Sequence, residues 1–540
     1  MRRRCDLSMG ASTGIQSMGI NRITIGLSVL SGFLLTAAFP GIGWSLAAWV
    51  ALVFLLAAIR KTSVREGFIL GIVTGMAHFA TLLYWLVGTM HIYGFLPIWL
   101  SGLIFILLVF YLSLYVGAFA ALVGYFGSGS LLSLVTIPAF WVCLEYARGL
   151  ALTGFPWGLV GYSQYEHLNL IQMADTFGVY GVSFVIVLAN AVIFFAFLWV
   201  KKEKWRGRSV SARNASVSVI GLIVILALAW TYGSARIQST DALIAAAEKQ
   251  KISVIQGNIS QSVKWDAKFL TDTIVTYVRL SEAAGKDDPD LIVWPETAIP
   301  FYFKYNVEWT KMVLAAMGGM NTWFLAGSPS VDFERYADKY YNSAYLVTPD
   351  GDIKGRYDKA HLVPFGEYVP MKRWLPFIDH MVAQVGEFKA GRAGGTLAWP
   401  PADIGVLICY EIIFPELASE LAANHSKILV NITNDAWFGK TSAPYQHFSM
   451  AVFRAVENRR ALVRAANTGV SGFIDPTGRI LEQSSLFTEA AMTREVPVME
   501  NPVTFYTRHG DLAVLCCFIW LGIIIILQFS KNKEALCPSN

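Results

Sequence analysis

The chain has 540 residues, of which 55% are hydrophobic and only 15% charged. An ordinary soluble domain carries about 25% charged residues. With a mean hydropathy of +0.48, these values exclude a wholly soluble enzyme as well as a disordered or fibrous chain. The net charge of +5 is not accompanied by a basic patch interleaved with aromatic residues, which argues against a nucleic-acid partner. Apolar residues concentrate in 20–235 and 511–529, so we expect a membrane protein with one large water-facing domain.

Eight segments are apolar over most of the roughly 20 residues that a helix needs to cross the hydrocarbon core. They are 23–39, 44–59, 68–87, 97–123, 131–146, 180–200, 217–232 and 512–529. Lysine and arginine fall in alternating connections, as the positive-inside rule expects for a cytoplasmic N terminus. The arginines before the first apolar run also fit a signal peptide, although the many later spans favour an uncleaved first helix.

This alternation predicts a multi-pass α-helical membrane domain and an extracytoplasmic domain on the side opposite the N terminus. The predicted parts are a cytoplasmic tail at 1–22, a seven-span membrane domain at 23–235, a water-facing domain at 236–510, an eighth span at 511–530 and a cytoplasmic tail at 531–540.

Charged residues lie at the outer end of the fifth predicted span, where Glu145 and Arg148 precede a loop that contains Phe155 and Trp157. One interpretation is an interfacial ion pair followed by a Pro-Trp turn at the level of the headgroups. The other is a mouth that admits a lipid, since charged groups at membrane depth are costly unless they are used. The sequence leaves both open.

The water-facing segment alternates short apolar runs with helical stretches, which is typical of an α/β domain whose sheets are covered by helices. Tight turns at 348–352 and 475–478 each close a hairpin, and helices are expected at 265–284 and 449–460. Strands are expected at 252–256, 291–294, 323–326, 343–347, 406–409, 428–432 and 462–465. Without a glycine-rich phosphate loop, an HExxH motif or a Cys/His cluster, the sequence predicts no cofactor and no metal.

Three polar residues follow predicted strands or lie in distinctive loops. Glu296 follows Leu-Ile-Val-Trp-Pro, Lys359 lies in Tyr-Asp-Lys-Ala-His, and Cys409, the one cysteine of the six within 236–510, ends an apolar run. A cysteine at a strand end exposes its thiol, a carboxylate can take its proton, and an ammonium lowers its pKa and binds an oxyanion. Each residue alone also has an ordinary explanation, as core filler, helix cap or solvated lysine. Together, in the order Glu, Lys, Cys, the three contexts form a specific signal.

These three contexts resemble the Glu-Lys-Cys triad of the carbon–nitrogen hydrolase (nitrilase) superfamily, whose members are αββα sandwiches. Four further stretches strengthen the resemblance, at 254–258, 365–370, 431–439 and 465–469. With the predicted spans on either side, residues 20–530 resemble the apolipoprotein N-acyltransferase family of the bacterial inner membrane. The resemblance implies a nitrilase-like domain that faces the periplasm.

The family's reaction implies an acyl chain passed from a phospholipid to the α-amine of the S-diacylglyceryl cysteine of an apolipoprotein. Glu296 would be the general base, Lys359 the oxyanion ligand and Cys409 the nucleophile that carries a thioester. The resemblance implies that Glu367 orients Lys359 or Glu296, and that Tyr410 and Glu411 shape the turn of the nucleophile. Candidate substrate-binding residues are Trp265, Asn342, Trp437, Phe155 and Trp157.

Residues 371–384 combine aromatic residues with a proline break and are interpreted as a mobile lid that dips into the lipid interface, with a buried helix as the alternative. His361, His425 and His447 have no partner pattern and are expected to be structural. One rival function keeps the chemistry but uses water, as in a membrane-tethered amidase; the apolar outer loops disfavour it. The other, a transporter or scaffold with an inactive domain, is disfavoured by the intact triad.

Overall fold

A computed structural model describes residues 19–205, 207–261, 264, 266–335, 338–368 and 388–536. Within these ranges, seven helices of 12 or more residues occupy the first part of the chain, and one long helix follows the water-facing domain. The first seven are α1 Arg22–Ala37, α2 Ala48–Ile59, α3 Val64–Leu82, α4 Ile98–Phe126, α5 Leu132–Leu150, α6 Ala174–Val200 and α7 Ala212–Ala246. Short helical turns and a small hairpin connect them, at Ser45–Ala47, Trp85–Gly88, Thr89–Tyr93, Ala151–Thr153, Val160–Gln164, Leu168–Ile171, Lys204–Trp205 and Arg208–Ser209.

The apolar helices are those of a membrane protein, and each of the eight predicted segments falls within or largely overlaps one of them. By length and composition, α4 to α7 are able to cross a membrane, and α3 joins Trp85–Tyr93 across a 55° bend as a fifth candidate. The other three apolar helices are shorter, at Arg22–Ala37, Ser45–Ile59 and Leu512–Gln528. Within the described ranges, four or five helices therefore meet this test, and eight spans stay a prediction.

Helix α7 runs without a break through the predicted domain boundary at 235. It has 35 residues, and ion pairs hold its extension on both sides. Arg236 pairs with Asp175 at 2.7 Å, and Asp241 pairs with Arg479. The seventh predicted span ends at 232 because the apolar residues stop there. The helix continues to Ala246, and ion pairs of its charged side chains anchor these last turns.

Within the described residues, the water-facing domain contains two six-stranded sheets. The strands are β1 Lys249–Gln256, β2 Leu291–Val293, β3 Trp323–Asp332, β4 Lys339–Val347, β5 Ile353–Asp358, β6 Thr396–Leu397, β7 Ile404–Ile408, β8 Ile428–Thr433, β9 Ala461–Ala466, β10 Gly472–Ile474, β11 Ile480–Gln483 and β12 Ala490–Pro497. The first sheet has the order β12-β1-β2-β3-β4-β5 and the second the order β11-β10-β9-β8-β7-β6. The helices are α8 Leu270–Gly285, α9 Val307–Gly318, α10 Pro415–Ala423 and α11 Ala443–Asn458, followed by α12 Phe505–His509 and α13 Leu512–Leu536.

The two sheets pack face to face through alternate residues of their strands. Val254 and Val293 of the first sheet share one buried cluster with Val406 and Val430 of the second. On the outer face of the first sheet, residues such as Ile255 pack against α8 and α9. The outer face of the second sheet packs against α10 and α11, which in turn share a core with α6. The domain is therefore an αββα sandwich, as expected, and its α10–α11 layer lies against the membrane helices.

All seven predicted strands are present, most with longer bounds. The strands that the pattern did not delimit are short or lie at a sheet edge, such as β6 with two residues and the edge strand β12. The two predicted helices begin elsewhere, at Leu270 rather than 265 and at Ala443 rather than 449. Side-chain periodicity locates these elements well, while their ends depend on local turns.

Candidate active site

Three connections on the two sheets place Glu296, Lys359 and Cys409 in one buried cluster. Glu296 follows β2, Lys359 comes directly after β5, and Cys409 comes directly after β7. Their exposed fractions are 6%, 1% and 8%. Lys359 Nζ lies 3.6 Å from Glu296 Oε1, and both charges act on the Cys409 thiol. The structure thus brings together the three residues that the sequence singled out.

The Glu296 carboxylate is fixed at both oxygens. Asn342 of β4 donates its Nδ2 hydrogen to Oε1 at 2.7 Å, and the backbone N–H of Asn434 donates to Oε2 at 2.9 Å. These two donors come from different elements and fix the orientation of the Glu296 side chain within the cluster.

Lys359 is paired mainly with Glu367. Its Nζ lies 3.0 Å from Oε1 and 3.0 Å from Oε2 of that residue. Burial disfavours the charged ammonium, but the Glu367 and Glu296 carboxylates outweigh burial and raise the pKa of Lys359. Lys359 is thus a permanent cation beside the thiol, suited to stabilise an oxyanion.

Cys409 has an unusual backbone conformation, with φ of +52°, and it begins the turn Cys409–Ile413. A left-handed conformation at a residue other than glycine stores strain and clusters at functional sites. Burial first and the Glu296 charge second raise the pKa of the Cys409 thiol, against the opposing effect of Lys359. The resting thiol is therefore neutral, and its activation requires transfer of the proton to a base.

Glu411 joins the turn of Cys409 to the loop of Lys359. One oxygen accepts from the Ile408 N–H at 2.6 Å, and the other accepts from Tyr357 Oη at 3.0 Å and from the N–H groups of Ala360 and His361 at 2.7 and 3.1 Å. Burial raises the pKa of Glu411 to about 7, although the backbone donors oppose this. Its contacts are with the chain around the two reactive residues, so Glu411 positions them.

A second buried network lies next to the cluster. Asp435 accepts from Arg464 at 2.8 Å and from His447 Nδ1 at 3.0 Å. Burial opposes ionisation of Asp435, but Arg464 and His447 outweigh it and lower its pKa to about 2. The ring of His447 also stacks on Trp157, with centroids 5.6 Å apart. This places His447 in a packed contact between the domain and the membrane helices.

Two further histidines occupy different positions. The His361 ring lies 3.9 Å from that of Phe414 and 6.0 Å from that of Tyr410, and burial first, with Lys359 second, lowers the pKa of His361 to about 4. It is therefore neutral at ordinary pH. His425 is exposed at the end of α10.

The proposed substrate-binding residues occupy different environments. Asn342 bridges two carboxylates, because its Nδ2 also donates to Glu367 Oε1 at 2.8 Å. Trp437 is half-buried; its carbonyl accepts from Thr89 Oγ1 at 2.8 Å. Trp157 is only 1% exposed and donates to Gln446 Oε1 at 2.8 Å, so it is packed between the two parts of the molecule. Trp265 and the predicted lid at 371–384 lie outside the described residues.

The loop after α5 contacts the turn that begins at Cys409. Tyr410 Oη lies 3.4 Å from the carbonyl of Gly154, directly before the half-buried Phe155. Arg148 donates to the carbonyls of Phe155 and Trp157 at 3.2 and 2.6 Å.

Glu145 accepts from the N–H of Val160 at 2.7 Å. Glu145 and Arg148 therefore hold this loop through its backbone. They do not form the direct ion pair that one interpretation of the sequence expected.

Lys264 is a member of this site that the sequence did not indicate. It is 2% exposed, and its Nζ donates to the carbonyl of Glu296 at 3.1 Å. A lone lysine in a polar loop is ordinarily solvated, and neither spacing nor periodicity marks Lys264 as buried.

The comparisons with known proteins agree with this geometry. Residues 251–500 match the carbon-nitrogen hydrolase family, so the fold and the site define a nitrilase-like enzyme domain joined to membrane helices. Residues 31–192 match the apolipoprotein N-acyltransferase N-terminal domain.

Three relatives carry the name apolipoprotein N-acyltransferase. The relative from Geobacter metallireducens is 43% identical over 94% of this chain and 95% of its own length. Those from Methylococcus capsulatus and Brucella melitensis are 33% and 34% identical over 94% and 84% of this chain, and over 96% and 82% of their own lengths. The chain belongs to the apolipoprotein N-acyltransferase family.

Proposed function

We propose that this enzyme transfers an acyl chain from a phospholipid to the α-amine of the S-diacylglyceryl cysteine at the N terminus of an apolipoprotein. In this proposal the chain crosses the bacterial inner membrane eight times, and the nitrilase-like domain faces the periplasm. The single observation that carries the proposal is the position of the Glu296, Lys359 and Cys409 cluster in a sandwich that packs on membrane helices.

The first half-reaction loads the enzyme. Glu296 accepts the proton of Cys409, and the thiolate attacks an ester carbonyl of the phospholipid. Lys359 stabilises the negative oxygen of the tetrahedral intermediate. The intermediate expels the lysophospholipid oxygen, which takes the proton from Glu296. A thioester on Cys409 remains.

The second half-reaction discharges the enzyme. The neutral α-amine of the apolipoprotein attacks the thioester carbonyl, and Glu296 accepts a proton from the nitrogen. The C–S bond breaks, an amide forms, and the sulfur recovers its proton from Glu296. A thioester is a better acyl donor to an amine than an oxygen ester is, so the covalent intermediate makes the transfer feasible. Exclusion of water protects it from hydrolysis.

Contacts near the nucleophile favour lipid-bound substrates over a soluble amide. The turn of Cys409 contacts the membrane domain through Tyr410 and Gly154. The turn that bears Trp437 contacts it through Tyr93, with ring centroids 5.5 Å apart. Both substrates in the proposed reaction are anchored in the bilayer, and these contacts keep the thiol close to it. We assign Phe155 and Trp437, which are half-buried, to the lipid path.

Intact-mass spectrometry of the full-length protein tests this function. The protein is incubated with vesicles of phosphatidylethanolamine, and Cys409→Ala is compared with the wild type and with Cys516→Ala, which changes an exposed cysteine of α13. We expect a fatty-acyl increment on the wild type and on Cys516→Ala, none on Cys409→Ala, and its removal by a diacylglyceryl peptide with a free amine. An increment that survives in Cys409→Ala would overturn the assignment. Rapid loss of the increment in water, with no acylated peptide, would favour the hydrolase.

A further inference from the structure

Lys264 is a second buried ammonium at the active site. It lies in the segment after β1, where its backbone N–H donates to the carbonyl of Ser260 at 3.2 Å. The same segment is tied to the loop beside Glu296, because Asn434 Nδ2 donates to Gln261 Oε1 at 2.7 Å. The side chain of Lys264 therefore approaches Glu296 from a different element than Lys359 does.

Burial makes the charged form of Lys264 energetically unfavourable. A buried ammonium costs free energy unless opposite charges compensate it. Burial lowers the pKa of Lys264 to about 8, while Glu296 and then Cys409 act in the opposite direction. Within the part of the chain that the structure describes, no carboxylate forms an ion pair with Lys264 Nζ. The positive charge of Lys264 is therefore compensated by the combined charge of the active-site cluster and not by one bound carboxylate.

The charges around Lys264 show what it contributes. Glu296 and Glu367 are two carboxylates, and Lys359 supplies only one positive charge against them. When it is protonated, Lys264 supplies the second positive charge, so that these two carboxylates and two ammonium groups together carry no net charge. The other charged or titratable groups near the thiol have partners of their own. Asp435 is bound by Arg464 and His447, and Glu411 accepts from Tyr357 and three backbone N–H groups.

We propose that Lys264 is a positioning residue for the acyl transfer, which holds the Glu296 backbone and balances the negative charge shared by Glu296 and Cys409. The inference rests on the proposed roles of those two residues. When the proton passes from the Cys409 sulfur to the Glu296 carboxylate, the total charge is unchanged and the negative charge moves to sulfur. Lys264 interacts with both groups, so it compensates the charge before and after the transfer.

The test measures how fast iodoacetamide alkylates Cys409 as a function of pH. The full-length protein is used in detergent micelles, and the modified peptide is located by mass spectrometry so that other cysteines do not contribute. The variants are Lys264→Met, Lys264→Gln and Lys264→Arg. Lys268→Met is the matched control, because Lys268 is an exposed lysine four residues further along.

Lys264 carries its positive charge below about pH 8, where that charge favours the thiolate form of Cys409. We therefore expect Lys264→Met and Lys264→Gln to be alkylated about tenfold more slowly than the wild type at pH 7, and the difference to shrink above pH 8, where the wild-type Lys264 is itself neutral. Lys264→Arg should restore the wild-type rate at pH 7, and Lys268→Met should not change the rate at any pH.

Two results would overturn the proposal: a wild-type profile in both neutral variants, or a loss that is equal at every pH and is not rescued by arginine. If the wild-type Cys409 itself does not react, the assignment of the nucleophile fails, and this inference fails with it.

Discussion

Lys359 Nζ lies 3.0 Å from each carboxylate oxygen of Glu367. The nearest oxygen of Glu296 is 3.6 Å away, so the lysine is bound mainly by Glu367. In the proposed mechanism, this arrangement would keep Lys359 in place while Glu296 takes up the proton of Cys409.

Replacing Glu367 by glutamine should slow acyl-enzyme formation by about 100-fold, because a displaced oxyanion ligand costs roughly that much. Without its main partner, Lys359 is expected to move towards Glu296 and out of the position in which it would bind the oxyanion. The measurement is the rate of the acyl mass increment in the presence of phospholipid vesicles. Glu334→Gln is the control, since it removes a solvent-exposed ion pair with Lys339. Equal rates in Glu367→Gln and the wild type would contradict this role.

Asn342→Ala should slow acyl-enzyme formation. Asn342 donates to Glu296 and to Glu367 through the same amide nitrogen, so it holds the two carboxylates in fixed positions around Lys359. Without this link we expect the rate of the acyl mass increment to fall by about tenfold, because misplaced reacting groups lose rate steeply. Asn306→Ala is the control, since Asn306 is exposed. A rate for Asn342→Ala equal to that of the wild type would contradict this positioning role.

Glu296, Lys359 and Cys409 could be singled out from the sequence because each follows an apolar run or lies in a distinctive motif, and the structure places them close together. The sandwich that carries them is recognisable in the same way. The same pattern could not reveal that β12 pairs with β1, with Ala490 opposite Gln256, since alternation predicts a strand but not its distant neighbour.

Lys264 was missed for a related reason. Its burial depends on the loop that folds over Glu296, and a lysine in such a loop looks like a solvated one in the sequence. The contacts of Asn342 were not predictable for the same reason. The resemblance offered Asn342 as a residue that binds substrate, and only the three-dimensional arrangement shows that its amide donates to Glu296 and Glu367.

Glu411→Gln should change how stability depends on pH. Burial raises the pKa of Glu411 to about 7 in the folded protein, above its ordinary value, so the folded state binds this proton more tightly than the unfolded state. The wild type therefore loses stability relative to Glu411→Gln as the pH rises from about 4.5 to 7, by about 3 kcal/mol for a shift of this size.

Thermal unfolding of both proteins at pH 5 and pH 8 measures this difference. Glu282→Gln serves as the control, because Glu282 is exposed on α8 and should unfold like the wild type at both pH values. A difference between wild type and Glu411→Gln that stays constant from pH 5 to pH 8 would show that Glu411 does not titrate in this range.

Gly154→Ala should slow acylation by phospholipid while leaving the reactivity of the Cys409 thiol almost unchanged. Gly154 has φ of +85°, and an added Cβ would lie 2.1 Å from the carbonyl oxygen of Gly149. The loop must therefore move away from the end of α5 and from Tyr410, with a loss of about 10–100-fold in acylation by phospholipid. Alkylation of Cys409 by iodoacetamide, which needs no lipid path, should stay within about twofold of the wild type. Gly102→Ala is the control, since nothing lies within 4 Å of its added Cβ. Equal losses in both assays would mean that the loop supports the Glu296, Lys359 and Cys409 cluster itself. No loss in either assay would show that the loop is not part of the lipid path.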